Sequence, residues 1–170
     1  MQPVLTNGPV RLVPFADRHL TDTYVGWLNT PELVRFSEQR HRSHDLDSCR
    51  DYVASFATGP NLLWAVEDQA TGSHVGNITA TVNPPNGLAD ISILIGGGSG
   101  QGYGFAAWSA VLNYLGSRPD LRKITGGCLA GNAAMVAIMR KAKMQPDGVR
   151  KDHFLVDGAP MDVLHFARYT

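Results

Sequence analysis

The chain has 170 residues, of which 44% are hydrophobic and 18% charged, and its formal net charge at pH 7 is zero. These values are typical of one globular domain over residues 1–170, and without a basic excess they argue against broad nucleic-acid binding. No apolar run approaches the ~18 residues of a membrane span. Cys49 and Cys128 form no CxxC motif and no signal-peptide pattern is present, so we expect a reduced, cytoplasmic protein.

Helix signals dominate the first third of the chain, after one strand. N-cap residues, a proline suited to a first helical turn and the helical spacing of apolar residues predict three helices. In chain order we expect a strand over 10–15, a helix over about 18–29 capped by Asp17, a short helix from Pro31, a polar loop over 37–45, and a helix capped by Asp45 or Asp47.

Strand signals dominate the rest of the chain. Three strands follow one another, and strands then alternate with helices, which predicts a mixed α+β sheet rather than a doubly wound parallel fold. The predicted elements are strands over 62–67, 74–82 and 89–95, a helix over about 105–115, a strand over 122–129, a helix over 132–143, and strands over about 150–156 and 160–168.

The most informative segment is the glycine-rich run 96–104, between a predicted strand and a predicted helix. Glycine lets backbone N–H groups turn toward a ligand, and a helix N-terminus carries about half a positive charge, so we predict a pyrophosphate site at 100–106. No Gly-Lys pair follows, which disfavours a P-loop. Gly102–Ala107 matches a dinucleotide fingerprint, but the acidic residue expected about 20 residues later is missing. A loop without a ligand is the remaining alternative.

Several short motifs occur in one order over residues 11–168. Gln101-Gly102-Tyr103-Gly104 resembles the acetyl-CoA pyrophosphate loop of GNAT-fold N-acetyltransferases. Other segments resemble the branch with ribosomal-protein and amino-sugar N-acetyltransferases, namely Arg11–Phe15, Trp27–Val34, Ala89–Ser92, Asn132 with Lys141 and Met144, and Asp162–Leu164. The sequence departs from the family pattern at Ser99, Met135, Met139 and Lys143-Met144.

The resemblance implies a GNAT fold, which is a central mixed sheet of six or seven strands, splayed in the middle, with four or so helices on its faces. It also implies acetyl transfer from acetyl-CoA, as cosubstrate and without a metal, to a primary amine that attacks the thioester directly. Proteins of this kind are often homodimers, so a homodimer is one expectation. A non-catalytic acyl-CoA-binding module is an alternative, because the usual serine and tyrosine are replaced.

The resemblance assigns the cofactor-binding residues to three groups. The pyrophosphate would bind the backbone N–H groups of Gln101, Gly102, Gly104, Phe105 and Ala106. The pantetheine arm would lie along Ile93, Leu94 and Ile95, with an oxyanion donor near Leu94 or Ile95. Asn132 would hold the arm from the far side, or cap a helix, or both, and Lys141 completes the set.

The reaction needs a neutral amine, and an alkyl amine is mostly protonated at pH 7, so a base or a water relay helps. Asp90 and Glu38 are the catalytic candidates, and His74 is a weaker one. Met139 occupies a position where many family members have a tyrosine that acts as general acid. Because a thiol has a pKa of about 8.5, the leaving thiolate can depart without that acid.

The resemblance places the polar loop 38–44 on the acceptor side, with Glu38, Arg40, His41, Arg42 and His74 as expected substrate-binding residues. The arginines can bind phosphate groups, which favours a nucleotide-linked amino sugar, although a simply solvated loop is an equal alternative. A protein N-terminal amine is the main rival acceptor, and a free amino acid, a polyamine or an antibiotic amine comes third. A metal at His41 and His44 is disfavoured because no third ligand lies nearby in sequence.

Overall fold

The computed structural model describes residues 2–98 and 100–170, so the sequence departure at Ser99 lies outside the described residues. These residues form one eight-stranded sheet in the order β1-β2-β3-β4-β5-β6-β8-β7. Its strands are β1 (Leu5–Asn7), β2 (Val10–Pro14), β3 (Leu62–Asp68), β4 (His74–Asn83), β5 (Leu88–Ile95), β6 (Lys123–Leu129), β7 (Gln145–Val156) and β8 (Ala159–Tyr169). β1, which the sequence reading missed, pairs with β2 in a short hairpin. The predicted mixed α+β sheet is confirmed.

The described residues also form five α-helices and three 3₁₀ turns. The helices are α1 (Asp22–Leu28), α2 (Pro31–Val34), α3 (Leu46–Ala54), α4 (Tyr103–Gly116) and α5 (Ala133–Lys141), and the turns are Asp17–His19, Glu38–His41 and Pro84–Asn86. α1 begins later than predicted because Thr21, rather than Asp17, accepts the capping hydrogen bond from the Tyr24 N–H, at 3.2 Å. Asp45 caps α3, accepting from the Ser48 N–H at 2.8 Å.

The main core lies between the sheet and α4. Trp108, Val111 and Leu112 of α4 are buried there, at helical spacing. Phe105, predicted to face inward with them, is only half-buried, and the ring of Tyr103 is buried instead. The C-terminus of α4 therefore matches the predicted amphipathic pattern, whereas its first turn does not.

A second cluster, formed by Tyr24, Trp27, Leu28 and Cys49, lies on the other face of the sheet. Ile93 and Ile95 pack against the α4 core, whereas Leu94, between them in β5, packs against this second cluster. Since successive strand residues point to opposite faces, the two clusters sandwich the sheet. β5 thus carries side chains that reach both layers.

The sheet opens between β5 and β6. This parallel pair is joined over only three positions, from Leu88 opposite Lys123 to Asp90 opposite Thr125, whereas β5 stays paired with β4 as far as Ile95. Beyond Asp90 the two strands diverge. The splayed sheet predicted from the resemblance is therefore present, and its gap begins at Asp90.

The backbone of β5 presents alternate residues to this gap. Gly96, just after β5, donates its N–H to the Val75 carbonyl of β4, and bonded positions alternate along an antiparallel pair. The backbone of Leu94 therefore also faces β4, while Ile93 and Ile95 turn their N–H and C=O groups toward the gap. Leu94 is thus wrong as the expected oxyanion donor, and Ile95 stays a prediction.

Candidate functional site

The glycine-rich loop takes a path that needs glycine. Gly98, Gly100 and Gly102 have φ values of 67°, 80° and 76°, a region that other residues rarely adopt. At Gly98 a Cβ atom would also overlap the Tyr103 ring, and at Gly96 it would overlap the indole of Trp27. The loop is therefore fixed by close packing as well as by its backbone angles.

Tyr103, the first residue of α4, fastens this loop to a neighbouring turn. Its hydroxyl donates a hydrogen bond to the Asp68 carboxylate at the end of β3. The other oxygen of Asp68 accepts from the N–H groups of Ala70 and Thr71, at 2.9 and 2.8 Å. The bond from Tyr103, followed by those from the turn, holds the pKa of Asp68 below its usual range. An ionised Asp68 thus links the β3–β4 turn to the start of α4.

The first turn of α4 supplies free backbone donors. Within residues 2–98 and 100–170, the N–H groups of Gly104 and Phe105 have no backbone acceptor, as expected for a first helical turn. The N–H of Gln101 donates to Gly98, and that of Ala106 donates to Gly102. The Gln101 amide is used within the loop and the Ala106 amide within the first helical bond of α4, which corrects the expectation that they face a phosphate. Gly102 is the N-cap residue of α4.

A cavity of about 240 Å³ lies at the β5–β6 gap. Its walls come from β5, β6, β8, the end of β7 and the 3₁₀ turn at residue 38. They consist of Phe36, Glu38, Asp90, Ile91, Ser92, Gly127, Cys128, Leu129, Phe154, Val163 and His165. The two carboxylates chosen from the sequence, Glu38 and Asp90, therefore face one cavity although 52 positions separate them in the chain.

Asp90 lies where β5 and β6 part. Its Oδ2 accepts a hydrogen bond from the Thr125 hydroxyl at 2.6 Å. Desolvation raises the pKa of Asp90, outweighing the Thr125 bond and the nearby charge of His165, which both act to lower it. A carboxylate with a raised pKa in the wall of a cavity is a candidate for proton transfer.

Glu38 is held by an arginine from its own turn. Arg40 Nη1 lies 2.9 Å from Glu38 Oε1, and the same guanidinium donates to the carbonyls of Ser37, at 2.8 Å, and Leu155, at 3.0 Å. Only 12% of the Arg40 side chain is exposed. Arg40 therefore ties the 3₁₀ turn to the β7–β8 hairpin, which corrects its prediction as a free phosphate ligand.

A larger hollow of about 830 Å³ is lined by three of the predicted acceptor residues, Arg40, His41 and Arg42. It lies between the α1–α2 segment, the 38–43 turn and the tip of the β7–β8 hairpin. His41 and Arg42 line it and are exposed, and Arg35 crosses it to pair with Asp157 at 3.0 Å. Of the two arginines predicted to bind phosphate, Arg42 is the one whose side chain is exposed to solvent.

Comparison with protein families gives one match, to the acetyltransferase (GNAT) domain, over residues 10–145. The chain belongs to this family. The matched range contains the glycine loop, the β5–β6 gap and both carboxylates. The GNAT family expected from the sequence motifs is confirmed, and the protein is an acetyltransferase by family. No curated protein sequence gives a significant match.

Solved structures share the GNAT fold at low sequence identity. RimL, a ribosomal-protein alpha-N-acetyltransferase in complex with coenzyme A, has a TM-score of 0.86 at 18% identity, with 98% of each chain covered. Spermidine N-acetyltransferase from Vibrio cholerae, with CoA and spermine, has a TM-score of 0.84 at 17% identity, covering 96% of each chain. The microcin self-immunity acetyltransferase MccE, with acetyl-CoA and AMP, has a TM-score of 0.82 at 12% identity, covering 96% of this chain and 94% of its own.

Two residues predicted to bind CoA lie at the two ends of α5. Asn132 caps α5, accepting from the Met135 N–H at 3.1 Å, so its capping role is confirmed and its contact with the pantetheine arm stays a prediction. Lys141, at the end of α5, places its Nζ 4.2 Å from the centre of the Phe105 ring. Lys141 and Phe105 thus lie together beside the N-terminal turn of α4.

Two other predicted positions serve packing. Met139, where GNAT relatives often have a tyrosine, is fully buried in the main core, so this side chain fills space and offers no proton. The centre of the His74 ring lies 5.0 Å from that of Trp27 and 5.0 Å from that of His19. Its Nε2–H donates to the Gly76 carbonyl and to Asn77 Oδ1. The structure places His74 in this aromatic cluster and in neither cavity, which corrects its prediction as a substrate-binding residue.

Sequence reasoning missed three side chains of the smaller cavity. Phe36 and Phe154 form part of its apolar wall, and His165 adds a titratable group. His165 is two residues beyond Val163 in β8, so strand alternation would have placed both on one face. The alternation along β8 can be read from the sequence. The pairing of β8 with β6, which brings His165 to this cavity, cannot.

None of the helices in the described residues has both the length and the apolar character that a membrane crossing requires. In the same residues, no three His, Cys, Asp or Glu side chains are gathered so as to hold a metal ion.

Proposed function

We propose that this GNAT protein transfers acetyl from acetyl-CoA to a primary amine by direct attack on the thioester. One observation carries the proposal, namely that the gap beside β5 runs from the free amides of α4 to the cavity lined by Glu38 and Asp90. Helix N-termini bind phosphate, and the outward backbone of Ile93 and Ile95 can bond an extended arm. RimL and the spermidine N-acetyltransferase, which share the fold, were solved with CoA, which supports CoA as the ligand.

The acceptor is proposed to carry an anionic group, as in a nucleotide-linked amino sugar. The reacting amine would enter the smaller cavity, where two carboxylates attract a cation, and the anion would occupy the larger hollow beside Arg42 and His41. The AMP in the MccE complex supports a nucleotide-bearing acceptor on this fold. Arg42 replaces Arg40 as the proposed phosphate ligand, because the Arg40 side chain is largely buried and both of its Nη atoms are engaged.

The experiment measures free thiol released from acetyl-CoA with matched amines, with and without a nucleotide diphosphate. We expect turnover of the nucleotide-linked amine, and Arg42→Ala should raise its KM about tenfold, as loss of a charge-assisted hydrogen bond does. Arg50→Ala on exposed α3 is the control and should leave KM unchanged. Equal rates with and without the diphosphate would contradict the anionic acceptor but leave the acetyltransferase intact.

A protein N-terminal amine is the second candidate, supported by the similarity to RimL. The linings of the two hollows include residues that are adjacent in sequence, Glu38 with Gln39 and Phe154 with Leu155, so an extended peptide could place its N-terminus at Asp90. Thiol release with short peptides that have a free N-terminus, and none with nucleotide-linked amines, would favour this candidate. Acetyl-CoA binding without thiol release for any amine would instead indicate a non-catalytic acyl-CoA-binding module.

A further inference from the structure

His165 is a titratable side chain of the smaller cavity to which the sequence gave no role. It lies on β8 directly opposite Gly127 of β6. A Cβ at Gly127 would lie 3.1 Å from His165 Nδ1 and 3.3 Å from its Cε1, so the imidazole rests against bare backbone. Because position 127 has no side chain, the ring can lie over β6, within the cavity that Asp90 also lines.

The Nε2 atom of His165 is buried and has no hydrogen-bond partner among the described residues. Buried polar atoms are normally bonded, and an exception needs an explanation. A polar group of a bound ligand supplies one, since this atom belongs to a side chain that lines a cavity. The unpartnered nitrogen is therefore a second observation, independent of the two carboxylates, that points to a ligand at this place.

The titratable groups that share the cavity with His165 come from three elements. They are Asp90 of β5, Glu38 of the 3₁₀ turn and Cys128 of β6, and on the remaining side β7 presents Gly148. Burial raises the pKa of Cys128 to about 11, so this thiol stays neutral and does not compete for protons. Glu38 is engaged by Arg40, and one oxygen of Asp90 by Thr125. Of these four side chains, the imidazole has a nitrogen without a hydrogen-bond partner that can accept a proton.

We propose that Nε2 of His165 accepts the proton of the attacking amine, and that Asp90 stabilises the resulting imidazolium. The proposal rests on the acetyltransferase function proposed above. Asp90, instead of taking the proton itself, stabilises the histidine that takes it. Glu38, at the cavity mouth, attracts the ammonium form before the transfer. A neutral histidine beside a carboxylate is a common arrangement for moving a proton near neutral pH.

Acetyl transfer begins with the ammonium form of the acceptor. The ammonium gives one proton to Nε2, and the freed nitrogen lone pair forms a bond to the thioester carbonyl carbon. The carbon–sulfur bond then breaks, its electron pair leaves on sulfur, and the second nitrogen proton passes to that thiolate. The imidazolium releases its proton to solvent at the cavity mouth, so each turnover yields an amide, free thiol and one proton.

The test compares His165→Gln with His153→Gln, a control on an exposed position of β7. We expect His165→Gln to lower kcat/KM for the acceptor about a hundredfold, the usual scale for loss of a general base. It should also remove the acid limb of the pH profile while leaving the Kd of CoA unchanged. His165→Ala should regain part of its activity when imidazole is added, a result that a purely structural role would not give. His153→Gln should behave as the wild type.

A His165→Gln enzyme that keeps the acid limb and a kcat/KM within threefold of the wild type would overturn the role of His165. That outcome would leave the acetyltransferase function standing. Gly127→Ala is a second variant, because the added methyl displaces the imidazole without removing it, and we expect it to lower kcat rather than raise the KM of acetyl-CoA. Absence of thiol release by the wild-type protein with every amine would instead remove the reaction itself, and both proposals with it.

Discussion

The two ends of the β5–β6 gap are built from different parts of the chain. The donor end consists of backbone from one continuous segment, with glycines at φ values near 70° and the free amides of Gly104 and Phe105. The acceptor end consists of side chains from five separate elements, which meet only because β5, β6 and β8 are neighbours. A site made of backbone amides suits the pyrophosphate, which all CoA esters share. A site made of side chains can acquire a different acceptor when its residues are substituted.

The sharpest test of the donor end is steric. Gly96→Ala would drive a methyl group into the Trp27 indole, and overpacking of a buried site costs about 3 kcal/mol. Gly97→Ala is the matched control, since the nearest atom to its new methyl lies 3.6 Å away. Urea unfolding followed by tryptophan fluorescence measures both. Equal midpoints for the two variants would contradict the contact between loop and α1.

The acceptor end is tested by its carboxylate. We expect Asp90→Asn to lower kcat/KM for the amine about a hundredfold, because the partner charge for proton transfer is lost. The Kd of CoA should change less than twofold if donor and acceptor ends are separate. Steady-state kinetics give kcat/KM for the amine, and a CoA titration gives the Kd. Asp51→Asn on α3 is the control. Parallel losses of CoA binding and turnover would show that the ends are one site.

A smaller effect is expected from the clamp on the donor loop. Tyr103→Phe removes the hydroxyl that bonds to the ionised Asp68, and a hydrogen bond to a charged group contributes about 1.5 kcal/mol. CoA binding should weaken about tenfold, while the acceptor KM stays constant. Tyr52→Phe, on the exposed side of α3, controls for loss of a phenol. Unaltered CoA affinity in Tyr103→Phe would mean that the loop holds its shape without Asp68.

The smallest effect is the pH dependence of the melting temperature, which arises from histidines outside both ends of the gap. Burial lowers the pKa of His74 and that of His19, outweighing the hydrogen bonds to Asn77 and to Glu67 that act to raise them. A histidine whose folded-state pKa is depressed stabilises the fold above its unfolded value of 6.5 and loses that contribution as pH falls below it. The melting temperature should therefore decline from pH 6.5 downward.

His74→Gln should flatten this decline, and His41→Gln, on an exposed position, should not. Glu67 adds a second decline at lower pH. Burial acts to raise its pKa, but the hydrogen bonds from His19 and Arg18 hold it below the usual value, so its contribution is lost as pH falls further. A melting temperature that is flat from pH 7 to pH 5 would contradict the burial of the two histidines.

The donor end could be predicted from the sequence because unusual backbone angles demand glycine, and glycine is visible in the sequence. Asp90 and Glu38 were identified through family motifs and charge, although their meeting in one cavity depends on sheet order. His165 could not be placed, since its role depends on Gly127 lying opposite in β6 and on the gap beside β5. Arg40 was misjudged because a charged side chain in a polar loop gives no sign that a distant carbonyl, that of Leu155, will engage it.

The β5–β6 gap also has a consequence for the protein without substrate. Ile93 and Ile95 present peptide groups to an unfilled edge in the middle of the sheet, so in that state the sheet is incomplete. A bound pantetheine arm would act as its missing strand, and any ligand that binds only the folded protein raises its stability. Amide hydrogen exchange at Ile93 and Ile95 should therefore be fast in the free protein and slow with CoA. The cosubstrate would then be part of the architecture for the length of each turnover.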